Sequence, residues 1–284
     1  MKVWGLDRLG LAAMAAALGV TAAAAAVPGH AVPDEIGMQV PVTEVARYIV
    51  WFHDDILLPI ITAITVLVAA LLIYVILRFN EKRNPTPSKT THNTLIEVIW
   101  TIVPVLILVF IAVPSFRLLS LELVVPRSDM TLKVTASQWH WNYGYSSKDG
   151  GFNFDSYVKD DKDLKPGDMR LLAVDNEAVV PVNKVIKVEV TSTDVIHGFV
   201  VQSFGVRVDA VPGRNNETWF KADREGVYYG QCSKLCGKDH AFMPIAFRVV
   251  SEDAYEKWLV SARKKFASNG GGAQYAAADV VERH

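Results

Sequence analysis

Cysteine is scarce in this chain: its 284 residues include two, Cys232 and Cys236, both in one short segment. The only disulfide within the chain would therefore join that pair, and no Cys-x-x-Cys-His haem attachment exists. Histidine is sparse as well. Of seven, His30 lies in the N-terminal region and His284 in the tail, leaving His53, His92, His140, His197 and His240. Two apolar spans with so few imidazoles cannot house buried haem ligands and an oxygen-reducing metal, so any terminal oxygen chemistry belongs to another chain. Charge is also thin, at 21% of residues with a net charge of -1. The cations are scattered rather than gathered on a stripe, which excludes nucleic acid as a partner. There is no internal repeat.

Apolar residues, by contrast, are plentiful. At 51% hydrophobic the chain is too apolar for an ordinary soluble domain and too short for a many-helix transporter, which fits a small membrane-anchored protein. Residues 1–31 open with Lys2 and Arg8 and continue as an Ala/Leu-rich run, the pattern of a signal peptide. Cleavage falls after the Ala22 to Ala26 run or after Ala31, and the sequence does not choose. An outer segment, 32–55, leads to two uncharged stretches, Ile56 to Leu77 and Val98 to Phe116. Each approaches the roughly 20 helical residues that cross a bilayer, which gives transmembrane helices over 56–79 and 95–117. The loop between them, 80–94, and the adjoining Arg78 carry Lys82, Arg83 and Lys89 against Glu81. The positive-inside rule makes this loop cytoplasmic and everything after Phe116 external. That compartment is oxidising, so a disulfide between Cys232 and Cys236 competes with a metal site.

The external region, 125–250, is broken into short strand-like runs: Thr131 to Ala136, Lys184 to Thr191, Gly198 to Gln202, Val206 to Ala210, Thr218 to Lys221, Val227 to Gln231 and Ile245 to Val250. Within the second, Ile186, Val188 and Val190 face one way and Lys187 and Glu189 the other. Such spacing predicts an all-β Greek-key sandwich or barrel. A short C-terminal helix over 251–266 follows, with Tyr255, Trp258 and Leu259 on one face. The Gly/Ala-rich tail, 267–284, has the composition of a disordered segment.

The segment Cys232-Ser-Lys-Leu-Cys236-Gly-Lys-Asp-His240-Ala-Phe-Met243 carries the chemistry. Two thiolates, an imidazole and a thioether within twelve residues form a soft ligand set suited to copper, with His197 upstream on a strand. Mononuclear blue-copper sites use one Cys, two His and a weak axial Met. A second cysteine adds a bridge and points to a binuclear centre, since zinc rarely recruits Met. A site filled on every position by protein ligands carries electrons rather than performing bond chemistry.

This loop, preceded by Gly-Val-Tyr-Tyr-Gly-Gln, resembles the CuA loop of subunit II of cytochrome c oxidase, of the bacterial aa3 type. The resemblance extends to Thr-His-Asn-Thr-Leu-Ile-Glu-Val-Ile-Trp from Thr91 and Gln-Trp-His-Trp-Asn-Tyr-Gly-Tyr from Gln138. It also takes in the stretch Leu164 to Asn176, Asp194-Val-Ile-His197, and Asp209-Ala-Val-Pro-Gly-Arg214. It implies a two-helix transmembrane hairpin carrying a cupredoxin-like domain on the periplasmic side of the bacterial inner membrane. Two copper ions would be bridged by Cys232 and Cys236, with His197, His240 and Met243 as terminal ligands and the Lys234 main-chain carbonyl completing the set. Electrons would arrive from cytochrome c at Trp139 and pass to haem a of subunit I, with Arg214 near the route. Subunit I would hold haem a3 and CuB as well, and subunit III would complete the assembly in membrane lipid. Glu97 corresponds to the acid at the mouth of the K proton pathway. Cytochrome c is basic, which makes Asp155, Asp175, Asp194 and Asp209 candidates for the docking surface.

Some positions depart from the family pattern. Lys234 stands where the family has a glutamate that helps hold magnesium at the subunit interface, and an ammonium has no lone pair to offer. Only Asp239 or a group on subunit I could then supply the missing ligand. Ser137 replaces a frequent histidine and Gly144 an occasional acid. A quinol oxidase subunit would lack the cysteines, and a nitrous oxide reductase would need many more histidines. A membrane-tethered copper-delivery module, which binds metal without passing electrons, is the alternative from a different functional class.

Overall fold

The computed structural model describes residues 29–146 and 151–266; the expected tail and most of the expected signal peptide lie outside them. The first long helix begins well before Ile56. Helix α1 (Glu44–Trp51) is capped by the Thr43 side chain, which accepts from the Ala46 amide. It passes through a π-helical segment, Phe52–Leu57, into α2 (Leu58–Arg78). The widened turn has a local cause: Pro59 offers no amide hydrogen and its ring would crowd the carbonyl four residues back, and the Leu58 amide bonds to His53 O, five back. The outer segment 32–55 is therefore helical from Glu44 onward, because Arg47, Asp54 and Asp55 are compatible with helix although they interrupt the apolar run.

Helix α3 (Thr94–Leu123) also outlasts its apolar stretch, ending beyond residue 117. At about 45 Å it exceeds the roughly 30 Å hydrocarbon layer, so its last turns reach out to the β domain. None of the residues of α2 or α3 is buried within the chain. Both helices are long and apolar enough to cross a membrane, and their exposed Leu, Ile, Val and Phe side chains suit lipid or partner helices.

The region after α3 forms two five-stranded sheets. Sheet I runs β3 (Phe152–Ser156), β2 (His140–Tyr145), β1 (Met130–Ser137), β5 (Ile186–Ser192) and β8 (Asn216–Phe220). Sheet II runs β4 (Ala178–Pro181), β10 (Pro244–Val250), β9 (Gly226–Cys232), β6 (His197–Val201) and β7 (Val206–Ala210). Pairings are antiparallel except β1 with β5 and β10 with β4. Three strands lie outside the strand-like runs: β2 is the aromatic run after Gln138, while β3 is short with polar residues between its inward Phe152, Phe154 and Ser156, and β4 ends in Pro181. The last two sit at sheet edges, where a short strand or a proline is tolerated.

Between the sheets lies an aromatic core. Trp141, Tyr143 and Tyr145 of β2 are fully buried with Phe199, Phe204, Phe220 and Phe247. Alternation in β5 holds for Ile186, Val188 and Val190, yet Glu189 is buried too. The reason is electrostatic: Glu189 sits opposite Glu217 in the β5–β8 register, and Lys187 Nζ lies 3.2 Å from the first carboxylate and 2.8 Å from the second. The shared ammonium offsets the like-charge repulsion.

Helix α4 (Glu252–Phe266) closes the open end of sheet I. Tyr255 and Leu259 are buried, Trp258 lies 5.1 Å from the Tyr145 ring, and Phe266 stacks on Phe154 at 4.6 Å. Tyr145 links the sheets further: its hydroxyl donates to Val179 O and accepts from Val179 N, each at 2.8 Å. Tyr145→Phe leaves that backbone pair of β4 without partners in a buried setting. A loss of about 1–3 kcal/mol is expected in chemical unfolding of the β domain, with the shape of the site below unchanged.

Candidate metal centre

Strand pairing assembles the site. Cys232 is the last residue of β9 and Pro244 the first of β10, so the ligand-bearing loop spans the end of one sheet. Strand β6 pairs with β9 through Phe199 and Cys232, which carries His197 to the loop across 35 residues of sequence. The approach is close. A Cβ on Gly198 would fall 2.2 Å from Ser233 Oγ and 3.0 Å from the Lys234 amide nitrogen, a close approach that glycine permits, and Ser233 N donates to Gly198 O at 3.0 Å.

Six donor atoms converge. The Cys232 and Cys236 sulfurs are 3.9 Å apart and both thiols are free and buried; one ligand atom each from His197, Cys232 and Cys236 lie within 4.8 Å of one another. His240 Nδ1 is 3.5 Å and Met243 Sδ 3.6 Å from Cys236 Sγ. The Lys234 carbonyl oxygen is 3.2 Å from Cys232 Sγ. All six groups expected from the sequence are therefore in one cluster.

His197 supplies the clearest test of metal fit. Its Nε2 is 2.9 Å from Asp194 Oδ1, which fixes the proton on Nε2, since a carboxylate only accepts. Its Nδ1 is buried and has no hydrogen-bond partner. A buried lone pair without a partner is costly, and beside two thiols it is a ready metal ligand held by an outer carboxylate. Asp194 does more: its Oδ2 accepts from the Gln138 amide at 2.7 Å, tying the ligand histidine to the turn that carries Trp139. Sequence reasoning marked Asp194 only as a surface acid, although an acid three residues before a ligand histidine is a usable signal.

Trp139 stands over the loop. Its Nε1 donates to Cys236 O at 3.2 Å, and the Gln138 side-chain amide donates to the same oxygen at 2.8 Å. Gln138 was not singled out by the sequence. Gly237 has φ +123°, and a Cβ there would lie 2.8 Å from the Trp139 ring, so the indole seats on the loop only over glycine. Lys238 Nζ lies 5.7 Å from the ring centroid.

The remaining sites expected from sequence lie elsewhere. Arg214 is exposed in the turn between β7 and β8 and lines a cleft with Glu189 and Lys133. Glu97 belongs to the first turn of α3, at the far end of that helix from the β domain, and its carboxylate accepts from the Asn93 amide at 3.2 Å. In this chain Glu97 caps a helix. Asp155 accepts from Asn142 at 2.8 Å and Asp175 from the Tyr157 amide at 2.8 Å.

Lys234 has two faces. Its carbonyl turns toward Cys232 while its Nζ lies 3.3 Å from Asp209 Oδ2. Asp239, the possible substitute ligand, has Lys238 Nζ at 3.7 Å. These residues do not fit a magnesium ion: the position that would supply a carboxylate holds a cation, which repels a divalent ion. The expected outcome with the intact complex that contains this chain, prepared from manganese-supplemented cells, is no stoichiometric bound-Mn²⁺ signal in EPR. One bound ion per complex would contradict it.

Protonation of the two thiols is uneven. Burial raises the Cys232 thiol, but the His197 imidazole and the Gly198 and Lys234 backbone outweigh it and bring the group down to about 6. Burial pushes Cys236 up to about 12, and the neighbouring Cys232 charge adds to the rise. At neutral pH the metal-free site thus holds one thiolate and one thiol. Loading requires both as thiolates, so it releases the Cys236 proton and tightens as pH rises toward 12. Cu(I) affinity of the metal-free protein should increase at least about tenfold per pH unit between roughly pH 7 and 9. A flat competition titration would contradict the protonated Cys236.

The matches to known proteins cover both halves of the chain. The model of the cytochrome c oxidase subunit II periplasmic domain matches residues 130–250, and that of its transmembrane domain matches residues 31–118. This chain belongs to the cytochrome c oxidase subunit II family. It is 48% identical over 245 residues to the probable cytochrome c oxidase subunit 2 of Rickettsia bellii, covering 86% of this chain and 90% of that one. It is 44% identical over 269 residues to cytochrome c oxidase subunit 2 of Cereibacter sphaeroides, covering 87% and 88%. The periplasmic domain of subunit II of the Bradyrhizobium japonicum oxidase is 57% identical, covering 50% of this chain and 99% of that one, with a TM-score of 0.47. As a family member the chain is a membrane-anchored subunit of an oxidase complex, with two helices and a cupredoxin-like domain.

Proposed function

We propose that this chain is the electron-accepting subunit of its oxidase, holding two copper ions between Cys232 and Cys236. His197, His240, Met243 and the Lys234 carbonyl would complete the ligand set. The convergence of these groups on the two cysteine sulfurs, with the buried and unpartnered His197 Nδ1 beside them, carries the reading. When bound, the copper pair supplies a one-electron carrier whose charge change is spread over two ions and two sulfurs. The protein's part is to keep that site rigid and dry: both thiols are buried, β9 and β10 fix the ends of the loop, and Asp194 holds the imidazole.

Trp139 is the point of arrival in this reading. Its indole lies on the outer side of the loop and bonds directly to the main chain of a copper-bridging cysteine, which suits transfer from a docked cytochrome c. Onward transfer leads to haem a of subunit I, beside haem a3 and CuB, with Arg214 near the route and subunit III completing the complex. Glu97 would lie at the mouth of the K proton pathway, since the loop between α2 and α3 carries Lys82, Arg83 and Lys89 and faces the cytoplasm by charge. The copper domain then faces the periplasm of a bacterial inner membrane.

Metal analysis with EPR tests the centre: two coppers per chain sharing one unpaired electron are expected, and a single copper would sink the proposal. Trp139→Ala should leave that spectrum intact while slowing reduction by ferrocytochrome c about tenfold or more, equivalent to about 1.4 kcal/mol of barrier. Unchanged rapid-mixing kinetics would remove Trp139 from the route.

A further inference from the structure

The segment before α1 is a strap held to the β domain at two places. Near the membrane helix, Val42 N donates to Ser203 O at 3.0 Å, Asp223 N donates to Val42 O at 3.0 Å, and the Thr43 hydroxyl donates to Phe204 O at 2.8 Å. The other anchorage is Gly29. Its carbonyl accepts from Tyr229 N at 2.8 Å, and it forms a parallel bridge with Tyr228 of β9. Strand β6 pairs with β9 only around Gln231 and Cys232, so the β9 edge at Tyr228 and Tyr229 is left for the strap. Between the anchorages, residues 31–34 are exposed.

Gly29 is buried, and its contact admits no larger residue. A Cβ at this position would lie 2.0 Å from Val227 O and 2.7 Å from Tyr228 Cα, both backbone atoms that cannot swing aside. The Tyr229 amide needs the Gly29 carbonyl, because Tyr229 is itself 9% exposed and a buried amide without an acceptor is unfavourable. His30 continues the contact, with its ring 6.1 Å from that of Tyr229.

We infer that Gly29 belongs to the mature protein, where it docks as an added strand residue on β9. Signal peptidase therefore cuts upstream of Gly29, at the Ala22 to Ala26 run, and not after Ala31. A cut after Ala31 would remove the outer anchorage and strip the Tyr229 amide of its acceptor. A cut within the alanine run keeps both, and it meets the small-residue requirement at positions such as Ala24 and Ala26. Processing by hydrolysis adds one water across a single peptide bond and leaves a new α-amine upstream of Gly29.

Intact-mass measurement and N-terminal sequencing of this subunit from the purified oxidase complex decide the point. An N-terminus between residues 23 and 29 is expected, and one beyond Gly29, or an uncut chain, would overturn the inference. A second experiment tests the contact. Gly29→Val, expressed as the full chain, should expose the strap to limited proteolysis between residues 29 and 38 at least several-fold faster than in the parent. Glycine at the neighbouring exposed position, Val32→Gly, serves as control and should leave the rate near the parent value. Equal cleavage rates for Gly29→Val and the parent would also overturn the docked strap.

Discussion

Two buried thiols with sulfurs 3.9 Å apart are the constraint on which the β domain turns. They differ in charge preference, because burial favours the thiol form of Cys236 while its neighbours draw Cys232 toward the thiolate. Such a pair needs walls that do not move. The loop that carries it begins on β9 and ends on β10, central strands of sheet II, and Trp141 Nε1 donates to Met243 O at 2.9 Å from the opposite sheet. The aromatic core therefore reaches the loop directly: the ring that fills the space between the sheets also fixes the thioether residue.

The same rigidity extends toward the membrane. Trp219 Nε1 donates to Leu121 O at 3.1 Å, and the Tyr48 hydroxyl donates to Pro114 O at 3.3 Å. Gly205, with φ +67°, lets the turn after β6 press on α1, where a Cβ would meet the Ala46 backbone at 2.9 Å. Helices α1 and α3 thus continue past the apolar layer as struts under the β domain. A subunit that hands electrons to a neighbour in the membrane gains from such struts, since transfer depends on a fixed separation.

Much of this was legible in the residues. The soft-ligand loop, the two apolar spans and the alternation of Ile186, Val188 and Val190 follow from residue type and local spacing, which sequence displays directly. What escaped depends on distant partners. Glu189 looked like a solvent-facing residue because nothing in its own strand reveals Glu217 across the ladder. Strand β4 ends in Pro181 and stands among none of the strand-like runs, and its edge position is what accommodates the proline. Asp194 was visible as an acid, but its second bond, to the Gln138 amide, joins segments 56 residues apart.

That second bond matters for how the parts work together. Asp194 grips the ligand imidazole with one oxygen and the main chain leading into Trp139 with the other, while Gln138 and Trp139 both grip the carbonyl of Cys236. The two segments are closed into a ring of hydrogen bonds: histidine to carboxylate, carboxylate to turn, turn to cysteine. The ring closes through the Gln138 side chain as well as the indole, so the inner donors keep their places while the outer aromatic is seated against them. If Trp139 is the point of arrival proposed above, these positions give a constant path between surface and centre, so that little of the protein would have to rearrange when a single electron crosses it.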